Sequence, residues 1–220
     1  MTGHLGAAIR ERYACKSFLS EPVPDETLRE ILKLTQSQRI QHAVLGLHRV
    51  AYDGGPRGLT TAMMDSNVRK VNEAPVVVVF AADCEPSKNV QRMQQLNRDN
   101  GAPDEFVNKI PALVELFSGE HDPKVSTEAW AYKQASLAAA TFLYAAQVHG
   151  LATCPMEGFD QAGVKKALNI PDRYSIPVVV ALGHANPAAK PAKPSVRFPP
   201  AEVFFDGKFG QSTEELFGEK

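Results

Sequence analysis

The apolar pattern is densest between Ser126 and Asp160. Ser126, Thr127 and Glu128 supply a capping hydroxyl followed by an acid in the first turn, where the helix dipole favours negative charge. From Ala129 to Val148 the chain is apolar almost all round, with Trp130, Leu137, Phe142, Leu143 and Tyr144 set among alanines. A helix without a continuous polar face is predicted to be buried, its alanines letting another backbone approach closely. Lys133, Gln134, Gln147 and His149 interrupt it too often for a membrane span. Gly150 ends it, and a short strand is predicted from Leu151 to Pro155. The turn Met156-Glu157-Gly158-Phe159-Asp160 then enters a helix from Gln161 to Leu168.

Elsewhere the periods are more ordinary. Leu5 to Ala14 suits a short helix, with Lys16 and Phe18 in an extended segment after it. Asp25 is expected to cap a helix from Glu26 to about Thr35, with Leu28, Ile31 and Leu32 on its apolar face. Thr61 to Val71 has a helical pattern. Val76 to Phe80 is β-branched and apolar on both faces, the pattern of a strand covered on both sides, and Ile176 to Leu182 repeats it. Pro86 to Asn100 and Asp104 to Phe117 fit outer amphipathic helices. From Ala185 to Pro200, five prolines (Pro187, Pro191, Pro194, Pro199 and Pro200) exclude helix. This segment is either a solvated basic linker or an extended wrap, held at its far end by Val203-Phe204-Phe205.

Composition narrows the class. With 220 residues, 44% hydrophobic and 22% charged, one compact soluble domain over residues 1–220 is expected. A net charge of -1 gives no basic field for nucleic acid or a membrane surface. The three cysteines, Cys15, Cys84 and Cys154, form no CxxC pair. They read as reduced thiols of a cytoplasmic protein, supporting neither disulfides nor zinc. Met1 to His4 lacks the charged-then-apolar run of a secretory signal.

No metal-ligand spacing, GxSxG elbow, P-loop or GxGxxG occurs. A lone histidine such as His149 is more often structural than catalytic. Glu157 is either a general acid or, beside Gly158 in a tight turn, important only for its backbone N–H. Arg12 with Lys16, Lys70, and Arg197 place basic groups at three distant points, a weak pointer to an anionic ligand.

Four segments together resemble the FMN-dependent, oxygen-insensitive nitroreductases. They are Arg12-Tyr13-Ala14-Cys15-Lys16-Ser17-Phe18, Asn67-Val68-Arg69-Lys70, Pro155-Met156-Glu157-Gly158-Phe159-Asp160 and Pro194-Ser195-Val196-Arg197. The resemblance runs from about residue 5 to 205, and the Glu-Gly-Phe-Asp turn is its most specific part. It implies an α+β fold with a mixed central sheet among helices. It also implies an interlocked homodimer packed across the long central helices, with two FMN sites in the interface. On this correspondence Arg12 and Arg197 grip the FMN phosphate, since guanidinium forks match phosphate oxygens. Lys16 and Lys70 lie near the pyrimidine end of the flavin, where fixed cations stabilise the charge gained on reduction, and Asn67 bonds the same edge. Tyr13, Ala14 and Met156 belong to the cofactor lining. The backbone N–H of Glu157 faces flavin N5, with Gly158 permitting close approach. Hydride from NAD(P)H passes through N5 to a nitroaromatic or quinone, and no side chain is assigned a catalytic role.

Three departures stand out. Tyr13 and Ala14 replace a basic residue or histidine and a serine, which removes a phosphate or ribityl contact. Ser195 stands where some members carry lysine. The family's Ser-rich loop, resembling Ser-Pro-Ser-Gly-Phe-Asn-Thr-Gln, cradles the partner's flavin. Here Gln36-Ser37-Gln38-Arg39-Ile40-Gln41-His42-Ala43 stands in its place. Codons for the family octet, read one base early, can encode this octet in full. Residues 36 to roughly 57 are therefore read as translated out of frame, against the alternative of ordinary divergence. Residues 36–58 are expected to be irregular and poorly packed, with Gly54-Gly55-Pro56 breaking any strand. Two functions remain open: an FMN-dependent NAD(P)H oxidoreductase, or a weakly catalytic flavin-binding or dimeric scaffold lacking a complete cradle.

Overall fold

The computed structural model describes residues 4–37, 43–49, 57–118, 126–191, 195–211, 213 and 217. The chain divides into two units, Met1–Lys190 and Pro191–Lys220. In the first, α1 (His4–Glu11) and α2 (Asp25–Gln36) precede β1 (Ala43–Arg49), and α3 (Arg57–Thr61) and α4 (Asp65–Glu73) lead into β2 (Val76–Asp83). A 3-10 turn at Pro86–Asn89 is followed by α5 (Val90–Asp99), α6 (Asp104–Phe117) and α7 (Thr127–Val148). The unit finishes with β3 (Ala152–Met156), α8 (Gln161–Leu168) and β4 (Tyr174–Gly183).

The four strands lie in the order β1-β2-β4-β3, and every neighbouring pair is antiparallel. The fold is α+β. The expected mixing of strand directions is confined, among the described residues, to one parallel bridge between Ala14 and Thr153. Strand β2 explains the layering: all its residues are buried, and alternate ones point to opposite faces. Val77 and Val79 join Cys154, Met156, Val179 and Ala181 in one core. Val76, Val78 and Phe80 join Leu182, Ala138, Ala139 and Phe142 in the other, where Phe80 meets Phe142 edge-on at 5.7 Å. Helix α7 covers that second face, and α4 and α8 contribute Val71 and Val164 to the first.

Several expectations are corrected. Asp25 is the first residue of α2 and Pro24 is its N-cap, because proline's fixed φ of -58° already suits that position. The helix expected over Thr61–Val71 is broken at Ala62–Met64, where Met63 bridges to Phe159 and Met64 N–H donates to the Gly158 carbonyl. Helix α7 starts as expected, Ser126 Oγ accepting from Ala129 N–H at 3.1 Å. Leu137 is nevertheless 55% exposed, on a face of α7 turned away from the sheet and from the α1 and α2 helices that also pack on it.

The irregularity expected over residues 36–58 is also corrected where those residues are described. Ala43 to Arg49 form β1, paired with β2 from Ala43–Ala82 to Arg49–Val76. Backbone ladders are largely indifferent to side chain, and without β1 the buried strand β2 would leave a row of N–H and C=O groups unpaired. Residues 38–42 and 50–56 of that segment lie outside the described residues.

In the Pro191–Lys220 unit, residues 195–199 are irregular and Pro200–Val203 forms one helical turn. Phe204 stacks on Phe217 at 5.4 Å and accepts a hydrogen bond from Thr213 Oγ1, while Phe205 packs on Phe209. Among the described residues of both units, no helix is long and apolar enough to cross a membrane.

Candidate functional site

The turn after β3 and the helix α4 meet through a chain of short hydrogen bonds. Lys70 Nζ donates to Asn67 Oδ1 at 2.7 Å, and Asn67 Nδ2 donates to the Gly158 carbonyl at 2.9 Å. Lys70 and Asn67 are buried, so their polar groups are fixed rather than solvated. The turn is pressed against α4: a Cβ on Gly158 would lie 2.9 Å from Asn67 Nδ2 and 3.0 Å from Met64 Sδ. Any side chain there would have to displace Asn67 or Met64. Asp160 holds the far side of the turn, its carboxylate accepting from Ala162 and Gly163 N–H and capping α8.

The segment after α1 reaches the same strand. Ala14 bridges to Thr153, and Cys15 N–H donates to the Thr153 carbonyl at 2.9 Å. Arg12 Nη1 is buried and has no hydrogen-bond partner among the described residues. An unpaired buried guanidinium N–H is costly in a folded chain, and it is the group an oxyanion would satisfy. Burial pushes the Cys154 thiol up, and Lys16, Lys70 and Arg12 act against that without reversing it. Tyr13 is raised by burial and by the neighbouring Cys15.

Of the residues singled out in the sequence, the structure thus brings Arg12, Ala14, Lys16, Asn67, Lys70, Met156 and Gly158 around β3 and its exit turn. Met156 is buried, Glu157 is exposed, and Lys16 is exposed at the edge. Arg197 belongs to the Pro191–Lys220 unit, where its Nη1 donates to the carbonyls of Ser195 and Val196.

Sequence reasoning missed the joint that fixes this arm. Phe18 N–H donates to Glu73 Oε2 at 3.0 Å, Arg69 reaches Glu73 and Ser17 Oγ, and Asn186 N–H donates to the Ser17 carbonyl. Burial favours protonation of Glu73, but hydrogen bonds from Arg69, Ser17 and Phe18 outweigh it and hold the carboxyl below its usual range. The i,i+4 spacing of Arg69 and Glu73 was visible, whereas the reach across the chain to Phe18 was not. A separate apolar cavity of about 400 Å³, lined by Met93, Phe106, Ile110, Phe117, Trp130 and Lys133, contains none of the β3-side residues.

The Nitroreductase family matches residues 9–184. MhqN of Bacillus subtilis, provisionally named an NAD(P)H nitroreductase, is 42% identical over 188 residues, 80% of this chain and 85% of its own. A Thermus thermophilus NADH dehydrogenase is 29% identical over 88% of this chain and 90% of its own. A provisionally named nitroreductase of Exiguobacterium sibiricum, solved in complex with FMN, superposes with a TM-score of 0.77 at 18% identity, covering 90% of this chain and 94% of that one. With the family match running from α1 to the end of β4, this chain belongs to the nitroreductase family.

Proposed function

We infer that this chain is an FMN-dependent oxidoreductase that takes electrons from NAD(P)H and delivers them to nitroaromatic or quinone-type acceptors. The observation that carries the reading is the buried, unsatisfied Arg12 Nη1 just before the Ala14–Thr153 bridge to β3, together with the buried Lys70–Asn67–Gly158 chain at the exit turn of that strand. Those residues fit the two polar ends of FMN. Arg12 would bind the phosphate, Lys70 and Lys16 would face the pyrimidine edge, and Asn67 fixes Lys70 and the turn together. Gly158 would keep the Glu157 backbone free of side-chain bulk beside a bound ring, and Met156, Tyr13 and Ala14 would complete the lining. When bound, FMN supplies the two-electron relay between nicotinamide and acceptor. The fixed ammonium of Lys70 offsets negative charge at the pyrimidine edge without reorganising.

A homodimer completes this reading. The outward face of α7 carries exposed Leu137 and half-buried Ala140, Thr141 and Tyr144, an apolar stripe suited to a second copy. The three free cysteines suit a cytoplasmic setting. The scaffold reading is favoured by the Gln36–Ala43 octet, which lacks the family's Ser-rich loop. Colour separates the two. The purified protein should be yellow, with its flavin absorbance bleached by NADH or NADPH without oxygen. A colourless preparation that does not take up added FMN overturns the oxidoreductase.

A further inference from the structure

We propose that Cys15 and Cys154 form a redox-active thiol pair that closes to a disulfide when a hydroperoxide oxidises it. Cys15 N–H donates to the Thr153 carbonyl, one residue beyond the parallel bridge between Ala14 and Thr153. Continued one step, that register sets Cys15 beside Cys154. The ladder goes no further there because its next bond would need an N–H from residue 155, which is proline. Laterally paired strand residues lie roughly 4.8 Å apart and point to the same face. Both cysteines do so, since they share one core cluster. A spacing of that order lies inside the roughly 4.4–6.8 Å between Cα atoms that a disulfide spans. In the reduced form each thiol is turned to a nearby carbonyl, Cys15 Sγ to Ser17 and Cys154 Sγ to Pro155.

The two thiols have different surroundings. Burial raises both thiols; hydrogen bonds with Ser17, Tyr13 and Asn186 act against it at Cys15, and Lys16, Lys70 and Arg12 act against it at Cys154. In this proposal Cys154 is the attacking sulfur and Cys15 the resolving one. The Cys154 thiolate attacks one oxygen of hydrogen peroxide, the O–O bond breaks, and the departing hydroxide takes a proton to become water. The resulting sulfenic acid loses its oxygen as a second water when the Cys15 sulfur, giving up its proton, displaces it. Two thiols lose two electrons and two protons, and the peroxide is reduced to two waters. Both thiols are 1% exposed, so a small hydroperoxide suits the site better than a bulky oxidant. Closure ties the arm bearing Arg12 and Lys16 to β3. Cys84 lies in a different core cluster, beside Ala82 and Trp130, and serves as the internal control.

The test is peptide mapping of the full-length holoprotein after hydrogen peroxide, with free thiols alkylated in denaturant and digestion without reductant. The expected product joins the Cys15 and Cys154 peptides, is two hydrogens lighter than their sum, and is reversed by dithiothreitol. It should form equally in Cys84→Ser. In Cys15→Ser, a sulfenic-acid probe should label Cys154. Oxygen adducts without a cross-link, or complete alkylation of both cysteines after oxidation, would overturn the pair. Labelling confined to Cys15 in a Cys154→Ser variant, with none on Cys154 in Cys15→Ser, would overturn the assigned order of attack.

Discussion

Gly158 occupies a position where any side chain would have to displace Asn67 or Met64. Gly158→Ala is expected to loosen the Lys70–Asn67–Gly158 chain at a cost of about 1–3 kcal/mol, the usual range for overpacking. Lowered flavin retention after gel filtration, together with a lowered melting temperature, is the measurement. Arg12→Ala should weaken FMN binding by about 1.5–3 kcal/mol, or roughly ten- to a hundredfold in Kd. Fluorescence titration of apoprotein with FMN reads this, and an unchanged Kd removes Arg12 from the phosphate site. Glu73 gives a pH prediction. Its carboxyl titrates lower when folded than when unfolded, so its contribution to stability is present above the unfolded value and lost as pH falls through the folded one. The gap in melting temperature between wild type and Glu73→Gln should therefore narrow in acid, below about pH 4. A gap independent of pH would mean that the charge of Glu73 does not hold the Phe18 segment. At this scale the sequence showed Lys70 and Asn67 one helical turn apart. It did not show that Glu73 closes on a backbone N–H 55 positions away, because that contact exists only once α4 and the arm have packed.

Elements were legible where the local pattern and the burial agree. The all-apolar run at Val76 becomes the central strand, and Asp104–Phe117 and Gln161–Leu168 fold with their expected bounds. Helix α7 was read as buried all round because periodicity counts apolar residues without knowing which neighbours exist. Ala138 and Ala139 turn out to pack inside the chain with Phe80 and Phe142, while Leu137 faces outward. Ala138→Phe should accordingly cost about 1–3 kcal/mol of folding stability. For a domain of this size, each kcal/mol lowers the melting temperature by about 2–4 °C. Leu137→Lys should leave folding nearly intact and shift the sedimentation equilibrium towards monomer. If Ala138→Phe melts like wild type, the intrachain contact is not close; if Leu137→Lys sediments like wild type, the outward face is not the dimer contact. Strand β1 was misread for a related reason: its residues are poor strand formers by pattern, but the unpaired edge of β2 recruits them.

For the molecule as a whole, the segment around β1 decides how complete the enzyme is. The other parts of the resemblance lie on elements that meet or on the separate C-terminal unit, whereas the octet Gln36–Ala43 departs from the family in every one of its eight positions. Gradual divergence changes scattered positions and has no reason to preserve a consistent one-base shift across eight codons. The out-of-frame reading accounts for the whole octet with one event before residue 36 and another before Leu59. It predicts that native protein carries a Ser-rich, Asn-containing loop here and that its intact mass differs from that of the printed residues. Sequencing the gene across codons 35 to 60 and weighing protein from its natural source together test this. A native mass equal to that of the printed sequence would make Gln36–Ala43 genuine. The partner-side wall of the flavin site would then have to be built from Gln, Arg and His. That wall would bring a cation, Arg39, in place of an amide and hydroxyls, and FMN affinity would become more sensitive to salt than in relatives with the Ser-rich loop.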